Sequence, residues 1–312
     1  MGKIELDHTG SGSGVTLSSD GTDLLLDGTA VGGGGGGAAS ELYAENPSSP
    51  TAPSATGTNA VAIGTSAVAS GLNAMAFGEG STASGDESLA LGDSGAVASN
   101  AVSIGPNAYA AGVSSTSIGV SSDARSTGST AIGYNSQAFT GSNATALTNS
   151  YASGTDSLAA AIGNNTSSYG ATGAYSVAIG RTNKAQSTWS SAIGGSLNIA
   201  SDTGATVTGG YTNTASGLYS RSGGRDAKSD KYGKDAWASG QFSAQGDAQT
   251  GTFVLRSDTT DATPEALTTS NGAAGTTNQI ILPNNSAYAF HGTIVARQQA
   301  SAGTASAAWK VE

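Results

Sequence analysis

The chain has 312 residues, of which 47 are glycine and only 11% are charged, against about a quarter in ordinary domains. The formal net charge of −10 argues against a partner that needs a basic face, such as nucleic acid or an anionic membrane. There is no cysteine, and the two histidines, His8 and His291, have no metal-ligand spacing, so we predict no metal site and no cofactor. The apolar runs are too short for a membrane-spanning helix, and we predict no membrane insertion.

Residues 1–57 form the first region. Val15-Thr16-Leu17 and Leu24-Leu25-Leu26 are short strand candidates separated by turn-prone residues. Six consecutive glycines, Gly32 to Gly37, predict a flexible hinge, and the Ser/Pro segment 46–53 predicts a stiffer extended arm. We interpret this region as a short β segment followed by a hinge and an arm.

Residues 58–224 form the second region, and they carry an internal repeat. The phrase Val-Ala-Ile-Gly at residues 61–64 recurs with variations up to Gly133, and the closing glycines are 14, 14, 13, 14 and 14 residues apart. A short period sustained over this length is typical of a solenoid, in which each coil is stabilised by its neighbours. The repeat returns with longer intervals up to Gly194, and the later coils are degenerate.

Each coil is predicted to consist of two short strands and two turns. Val61 and Ile63 share one face of the first strand, and Ala62 lies on the other. We place the aliphatic residues inside, at Ile63, Phe77, Leu91, Ile104, Ile118, Ile132, Ile162, Ile179 and Ile193. The closing glycines should make the turns, at Gly64, Gly78, Gly92, Gly105, Gly119, Gly133, Gly163, Gly180 and Gly194. Outward alanine faces then predict packing against further chains in a homotrimer.

The third and fourth regions are a charged junction, 225–236, and a C-terminal β domain, 237–312. The basic run from Arg221 to Lys234 could bind a polyanion, but we favour ion pairs with aspartates of a neighbouring chain. Strand candidates after Trp237 predict an antiparallel, sandwich-like domain, at 251–256, 279–282, 286–290, 292–297 and 307–311. The last of them reaches Glu312, so we expect a partner chain or further sequence to complete the domain.

The repeat, read as NAVAIGTSAVASGLNAMAFGEGSTASG, resembles the head repeat of trimeric autotransporter adhesins. That resemblance implies a left-handed parallel β-roll, three chains packed side by side, and binding to host surfaces. It covers about half of the chain and carries no information on the ligand.

The two ends resemble other proteins. VTLSSDGTDLLLDGTAVGGGGGG is similar to the N-terminal segment of structural proteins of tailed bacteriophages, and KYGKDAWASGQFSAQGDAQTGTFVLRSDTTD is similar to a C-terminal domain of phage tail fibres. These resemblances imply a virion protein whose N-terminus binds phage tail or baseplate proteins.

Two sets of residues are candidates for chemistry or binding. Glu79, Asp86, Glu87 and Asp93 could form a carboxylate pair of the kind used in glycoside hydrolysis, but solubilising turn charges are the favoured interpretation. Six aromatic residues could cap the roll or form exposed sugar platforms, and capping is favoured: Tyr134, Phe139, Tyr151, Tyr169, Tyr175 and Trp189. We predict no catalytic residue, and the sequence does not identify receptor-binding residues.

The sequence therefore predicts a non-enzymatic, homotrimeric tail fibre located in the virion, which contacts a host cell-surface receptor or glycan. A bacterial trimeric surface adhesin is the first alternative. A polysaccharide-depolymerising tailspike is the second.

Overall fold

The computed structural model describes residues 51–160, 168–282, 284, 286–299 and 305–312, together with the backbone of five strands within residues 1–50. The chain divides into two compact units, Met1–Phe253 and Val254–Glu312. The predicted hinge, Gly32 to Gly37, and the first part of the predicted arm, residues 46–50, lie outside the described residues.

A small antiparallel sheet precedes the repeat region. Its strands are β1 (Ile4–Leu6), β2 (Val15–Ser19), β3 (Leu24–Leu26) and β4 (Thr29–Ala30), and they pair in that order. Both strand candidates of this region are confirmed, since they lie in β2 and β3.

The repeat region folds into a β-solenoid of about thirteen coils, as predicted. Odd-numbered strands from β5 to β31 make a parallel sheet, the first sheet, and even-numbered strands from β6 to β30 make a second parallel sheet. The strands are β5 (Ser40–Leu42), β6 (Ser54–Ala55), β7 (Val61–Ile63), β8 (Val68–Ala69), β9 (Met75–Phe77), β10 (Thr82–Ala83), β11 (Leu89–Leu91), β12 (Ser94–Ala96), β13 (Val102–Ile104), β14 (Ala108–Ala110), β15 (Thr116–Ile118), β16 (Asp123–Ala124), β17 (Thr130–Ile132), β18 (Gln137–Ala138), β19 (Thr145–Leu147), β20 (Tyr151–Ala152), β21 (Leu158–Ala160), β22 (Gly170–Ala171), β23 (Val177–Arg181), β24 (Lys184–Ala185), β25 (Ser191–Ser196), β26 (Ile199–Ala200), β27 (Thr206–Val207), β28 (Thr214–Ala215), β29 (Arg221–Arg225), β30 (Lys228–Ser229) and β31 (Asp235–Ser239).

The interior of the roll is made mainly of alanine and serine, which corrects the predicted faces. Ala62, Ala76 and Ala90 are fully buried in the first sheet, and Ala69 and Ala83 face them from the second. In these coils the two sheets lie close together, and small side chains fill the space between them. The aliphatic residues of the repeat therefore point outward on the first sheet and are not the core of the single chain.

The outward positions belong to the residues that were predicted as the core. Among the described residues of this set, two side chains are exposed, Ile132 and Ile193. The others are half-buried: Ile63, Phe77, Leu91, Ile104, Ile118 and Ile179. Ile162 and Gly163 lie outside the described residues. In that coil the strand pairing is made by Leu158–Ala160 instead, because Ala160 pairs with Leu147 and Ile179.

Glycine occupies two kinds of position in the coils. The described closing glycines, from Gly64 to Gly194, have φ between +78° and +124°, a region that side chains with a Cβ rarely adopt. At the other turn, Gly71 has no positive φ, but a Cβ there would overlap the carbonyl oxygen of Gly85 in the next coil. The first position needs glycine for conformation, and the second needs it for close stacking.

The later coils use asparagine where the earlier ones use alanine or serine. Asn183, Asn198 and Asn213 are fully buried at equivalent positions. The Asn198 Nδ2 donates to the carbonyl oxygens of Gly194 and Gly210, both at 3.0 Å, and its Oδ1 accepts from the backbone N–H of Asn213 at 3.0 Å. These amides are hydrogen-bonded from coil to coil, and they extend the roll through the segment that the sequence left as degenerate.

The roll continues through the segment predicted as a charged junction. β30 pairs with β28 and β31 pairs with β29, so residues 225–236 form one more coil, because Ala227 and Ala236 still fill the interior. The antiparallel strand β32 (Gln249–Thr252) then pairs with β31 and ends the first sheet. Close to it, the Nζ of Lys234 lies 5.9 Å from the ring centroid of Phe253.

The second unit contains an antiparallel strand pair, β33 (Gly292–Arg297) and β34 (Ser306–Val311), which confirms the predicted antiparallel pairing in this part of the chain. Three other predicted strands are corrected: the segment 251–256 is strand only as far as Thr252, and 279–282 and the described 286–290 are not strands. Residues 251–252 pair with β31, and Arg256 forms an isolated antiparallel bridge with Thr268, but the other described residues of these segments pair with no strand. A sandwich is therefore not formed by the described residues of this unit.

Candidate binding surfaces

The outer face of the first sheet is an aliphatic stripe. Strand register places Ile63, Phe77, Leu91, Ile104, Ile118 and Ile132 side by side, one per coil. A second row two residues earlier begins with Val61, Met75, Leu89 and Val102. We call these two rows, between Val61 and Ile193, the aliphatic face, and its second row also contains Thr116, Thr130, Thr145 and Ser191. Met75 is 45% exposed and Ile193 is 47% exposed, so the face is not covered within one chain.

The aliphatic face becomes polar at the C-terminal end of the roll. After Ile193 the corresponding outward residues include Thr208, Arg221 and Asp235. A shallow depression lies there, lined by Thr208, Arg221, Gly223, Asp235, Trp237, Thr250 and Thr252. The aliphatic side chains of the outer face are therefore confined to the coils before residue 206, and the exposed Trp237 stands further along the row of Ile193.

The second sheet carries an exposed cluster of a different kind. Arg125 donates to Asp123 through both Nε and Nη2, and its guanidinium lies 4.9 Å from the Phe139 ring centroid and 5.7 Å from that of Tyr109. Phe139 in turn makes an edge contact with Tyr151, with ring centroids 5.6 Å apart. Because the Arg125 guanidinium is already paired with Asp123, these contacts within the chain account for the cluster.

The four carboxylates considered for catalysis divide between the two edges of the roll. Asp86 and Glu87 lie in the turn that leads into β11, where Asp86 accepts from the backbone N–H of Leu72 at 2.9 Å. Glu79 and Asp93 lie in turns at the opposite edge, in adjacent coils. All four are exposed, which agrees with the interpretation as solubilising turn charges.

The basic run is ion-paired within the chain, and its pairing with a neighbouring chain stays a prediction. Arg221 binds Asp235 of the next coil, and Lys231 and Lys234 both contact Asp230, at 3.4 and 3.3 Å. Burial alone would raise the pKa of the Asp230 carboxyl, but the charges of Lys234 and Lys231 outweigh it, and its pKa is lowered. Burial lowers the pKa of Lys234, and Asp230 offsets part of that shift. Much of the charge in this run is therefore neutralised locally.

The six predicted aromatic residues do not form one cluster. Phe139 and Tyr151 belong to the second-sheet cluster described above, and Tyr169 packs under Lys184, whose Nζ is 4.9 Å from the ring centroid. Tyr134 is exposed at one edge. Tyr175 and Trp189 are exposed at the other edge, in equivalent turns of neighbouring coils.

Tyr219 occupies the same turn position two coils further along, and the sequence interpretation missed it. Trp189 donates its backbone N–H to the carbonyl of Ala174 in the preceding turn, and Tyr219 donates to Thr203 in the same way. The coil-by-coil alignment of these turns was the available signal, since Tyr219 follows Trp189 by two intervals of 15 residues, but the later coils had been interpreted as degenerate. The three residues together are the aromatic edge.

The described residues hold no group of three or more His, Asp or Glu side chains arranged to bind a metal ion. None of the described residues forms a helix that is long and apolar enough to span a membrane.

The comparison with known families agrees with the geometry of the roll. Five segments match the model of the YadA head domain repeat (2 copies), at residues 55–78, 69–94, 96–122, 124–147 and 171–196. No curated protein matches the sequence of the whole chain. The repeat region is thus an adhesin-like β-roll, similar to the heads of trimeric autotransporter adhesins.

Proposed function

We propose that this chain is a subunit of a homotrimeric adhesive fibre, in which three rolls pack together through their aliphatic faces. The observation that carries the proposal is the uncovered stripe from Val61 to Ile193 on a roll whose own interior is mainly alanine and serine. A buried methyl or methylene group stabilises by only about 0.8 kcal/mol, whereas ordering each backbone residue costs about 1–2 kcal/mol. Covering the aliphatic face with two further chains supplies apolar burial that one chain lacks.

The match to the YadA head domain repeat supports both the trimer and the adhesive role. The roll has a long, regular surface, and the four exposed carboxylates of its turns are divided between opposite edges, which favours binding over catalysis. We therefore assign no reaction to the chain.

We further propose that the fibre is a phage tail fibre in the virion, attached to tail or baseplate proteins through residues 1–31. The support is the resemblance of the two ends of the sequence to phage structural proteins. A bacterial trimeric surface adhesin is the second candidate, and the repeat itself favours it as much as it favours a virion protein.

Sedimentation equilibrium of the purified chain tests the trimer. We expect three times the chain mass across micromolar concentrations. A monomer mass over that range would contradict the proposal.

Labelling with antibodies raised against residues 58–224 separates the two locations. We expect label on tailed particles from a lysate and none on intact cells of the uninfected host. Deletion of residues 1–31 should leave a trimer that no longer joins particles. Label on uninfected cells alone would favour the bacterial adhesin.

A further inference from the structure

The aromatic edge places bulky rings at a turn position that smaller or more flexible side chains hold in the earlier coils, Glu87 and Ser114 included. Tyr175, Trp189 and Tyr219 have φ of 57°, 58° and 55°, in the left-handed region. In the earlier coils the position is held by residues such as Asn59, Asn73 and Gly128, which are suited to that conformation or tolerate it. Bulky aromatic residues are outliers there, and such outliers concentrate at functional sites.

The three rings are also held out into solvent. They are 53%, 58% and 51% exposed, although aromatic side chains of this size are usually largely buried. Asparagine at this position can instead bond along the edge, as Asn59 does to Asn73 at 3.2 Å. Tyr175 and Trp189 give up that contact, whereas Tyr219 exchanges it for an edge contact with Tyr232, with ring centroids 5.9 Å apart.

The rings follow the rise of the roll. Trp189 lies one coil above Tyr175, and Tyr219 lies two coils above Trp189, with Gly204 in the turn between them. The Tyr219 ring lies against Gly204 in the space that a side chain there would need. Since stacked strands are about 4.8 Å apart, the edge extends over roughly 14 Å. That length suits a linear chain of several rings rather than a single small molecule.

We infer that the aromatic edge binds a neutral oligosaccharide, with pyranose rings packed on Tyr175, Trp189 and Tyr219. The C–H groups on one face of a pyranose carry partial positive charge, and they match the negative face of an aromatic ring. The turns around the rings also carry Thr188, Thr203 and Asp202, whose oxygens can accept from sugar hydroxyls.

The charges of these turns favour a neutral sugar over a polyanion. Lys231, in the turn one coil beyond that of Tyr219, lies 3.4 Å from Asp230, and Asp202 adds a negative charge beside the rings. The chain as a whole carries a net charge of −10. The inference rests on the adhesive function proposed above and gives that function a ligand class.

Trp189→Asn provides the test, because asparagine occupies the same position in other coils and should not disturb the turn. The probe is an array of neutral oligosaccharides of three or more hexopyranose units, with uronate-containing oligosaccharides for comparison. We expect the wild-type trimer to bind neutral members and Trp189→Asn to bind them at least tenfold more weakly, at an unchanged or higher Tm. Tyr134→Asn, which removes an exposed aromatic residue from the opposite edge, is the matched control and should bind normally.

A second measurement checks that the edge is open in the assembled fibre. In a Trp237→Phe, Trp309→Phe background, acrylamide should quench Trp189 fluorescence, and a bound oligosaccharide should protect it. Protection of Trp189 in the trimer without sugar, no binding to any neutral member, or equal binding by Trp189→Asn would each overturn the inference. Host adhesion by a fibre that carries Trp189→Asn at wild-type strength would overturn it while leaving the adhesive function intact.

Discussion

At the scale of single residues, the roll depends on small side chains and on hydrogen bonds between coils. Alanine and serine fill most of the interior, and in three later coils asparagine replaces them and bonds to the turns above and below. A buried amide is stable only when its donors and acceptors are paired, so each asparagine depends on its neighbours. The roll is therefore sensitive to substitutions that leave a buried backbone group without a partner.

Asn198→Ala should lower the free energy of unfolding by about 1–3 kcal/mol, since it leaves the buried backbone N–H of Asn213 without its acceptor and removes one of the two donors from each of the Gly194 and Gly210 carbonyls. Chemical denaturation measures the change. The exposed amide Gln186→Ala in the same coil is the control and should change stability by less than about 0.5 kcal/mol. Equal effects of the two substitutions would show that the buried amides do not stabilise the roll.

Gly105→Val should cost about 1–3 kcal/mol, because φ at Gly105 is +115° and a Cβ would lie 3.1 Å from the carbonyl of Gly119. Gly233→Asn is the control, since φ there is +63° and a Cβ would meet nothing within 4 Å. Thermal melts of the two variants should differ clearly. A normal Tm for Gly105→Val would mean that the turn can adopt another conformation.

At the scale of elements, the two sheets differ in what their outer faces present. The first sheet carries the aliphatic face, whereas the second carries Tyr109, Asp123 and Gln137 at aligned outward positions. Substitutions of the same kind on the two sheets should therefore affect assembly differently.

Ile104→Asp should move the chain from trimer toward monomer, because it places a carboxylate in the middle of the aliphatic face where the proposed trimer excludes water. Analytical ultracentrifugation at several concentrations measures the shift. Val68→Asp puts the same charge on the outward side of the second sheet, and it should leave the trimer intact. A trimer of unchanged Tm for Ile104→Asp would place the chain interface elsewhere.

At the scale of the whole molecule, the roll and the C-terminal unit are separate compact bodies. The roll is closed at its C-terminal end by the antiparallel strand Gln249–Thr252, which covers the edge of the first sheet. Terminal coils of solenoids need such caps, because an open sheet edge can pair with other chains. The β33–β34 pair is exposed along its whole length, and an isolated two-stranded hairpin is marginally stable. We therefore expect a partner to cover it in the assembled fibre.

A chain that ends at Phe253 should keep the roll folded, with a far-ultraviolet spectrum and a main melting transition like those of the full chain. A chain that ends at Ser239 loses the capping strand, and it should melt earlier and aggregate. Circular dichroism and light scattering during heating measure both properties. If both truncations behaved alike, the antiparallel strand would not be the cap.

The sequence by itself determined the all-β solenoid and the glycine turns. A backbone conformation that repeats about every 14 residues needs the same residue types at the same position of each coil. It did not determine which face of each strand is inside. Alternation of alanine with isoleucine shows that each strand has two different faces, but it does not show which face points into the roll. The small distance between the two sheets decides this, and it puts Ala62 inside and Ile63 outside. The continuation of the roll through residues 225–236 and the alignment of Tyr175, Trp189 and Tyr219 were likewise decided by coil stacking. Insertions interrupt the period along the chain, but hydrogen bonds between coils restore the alignment in three dimensions.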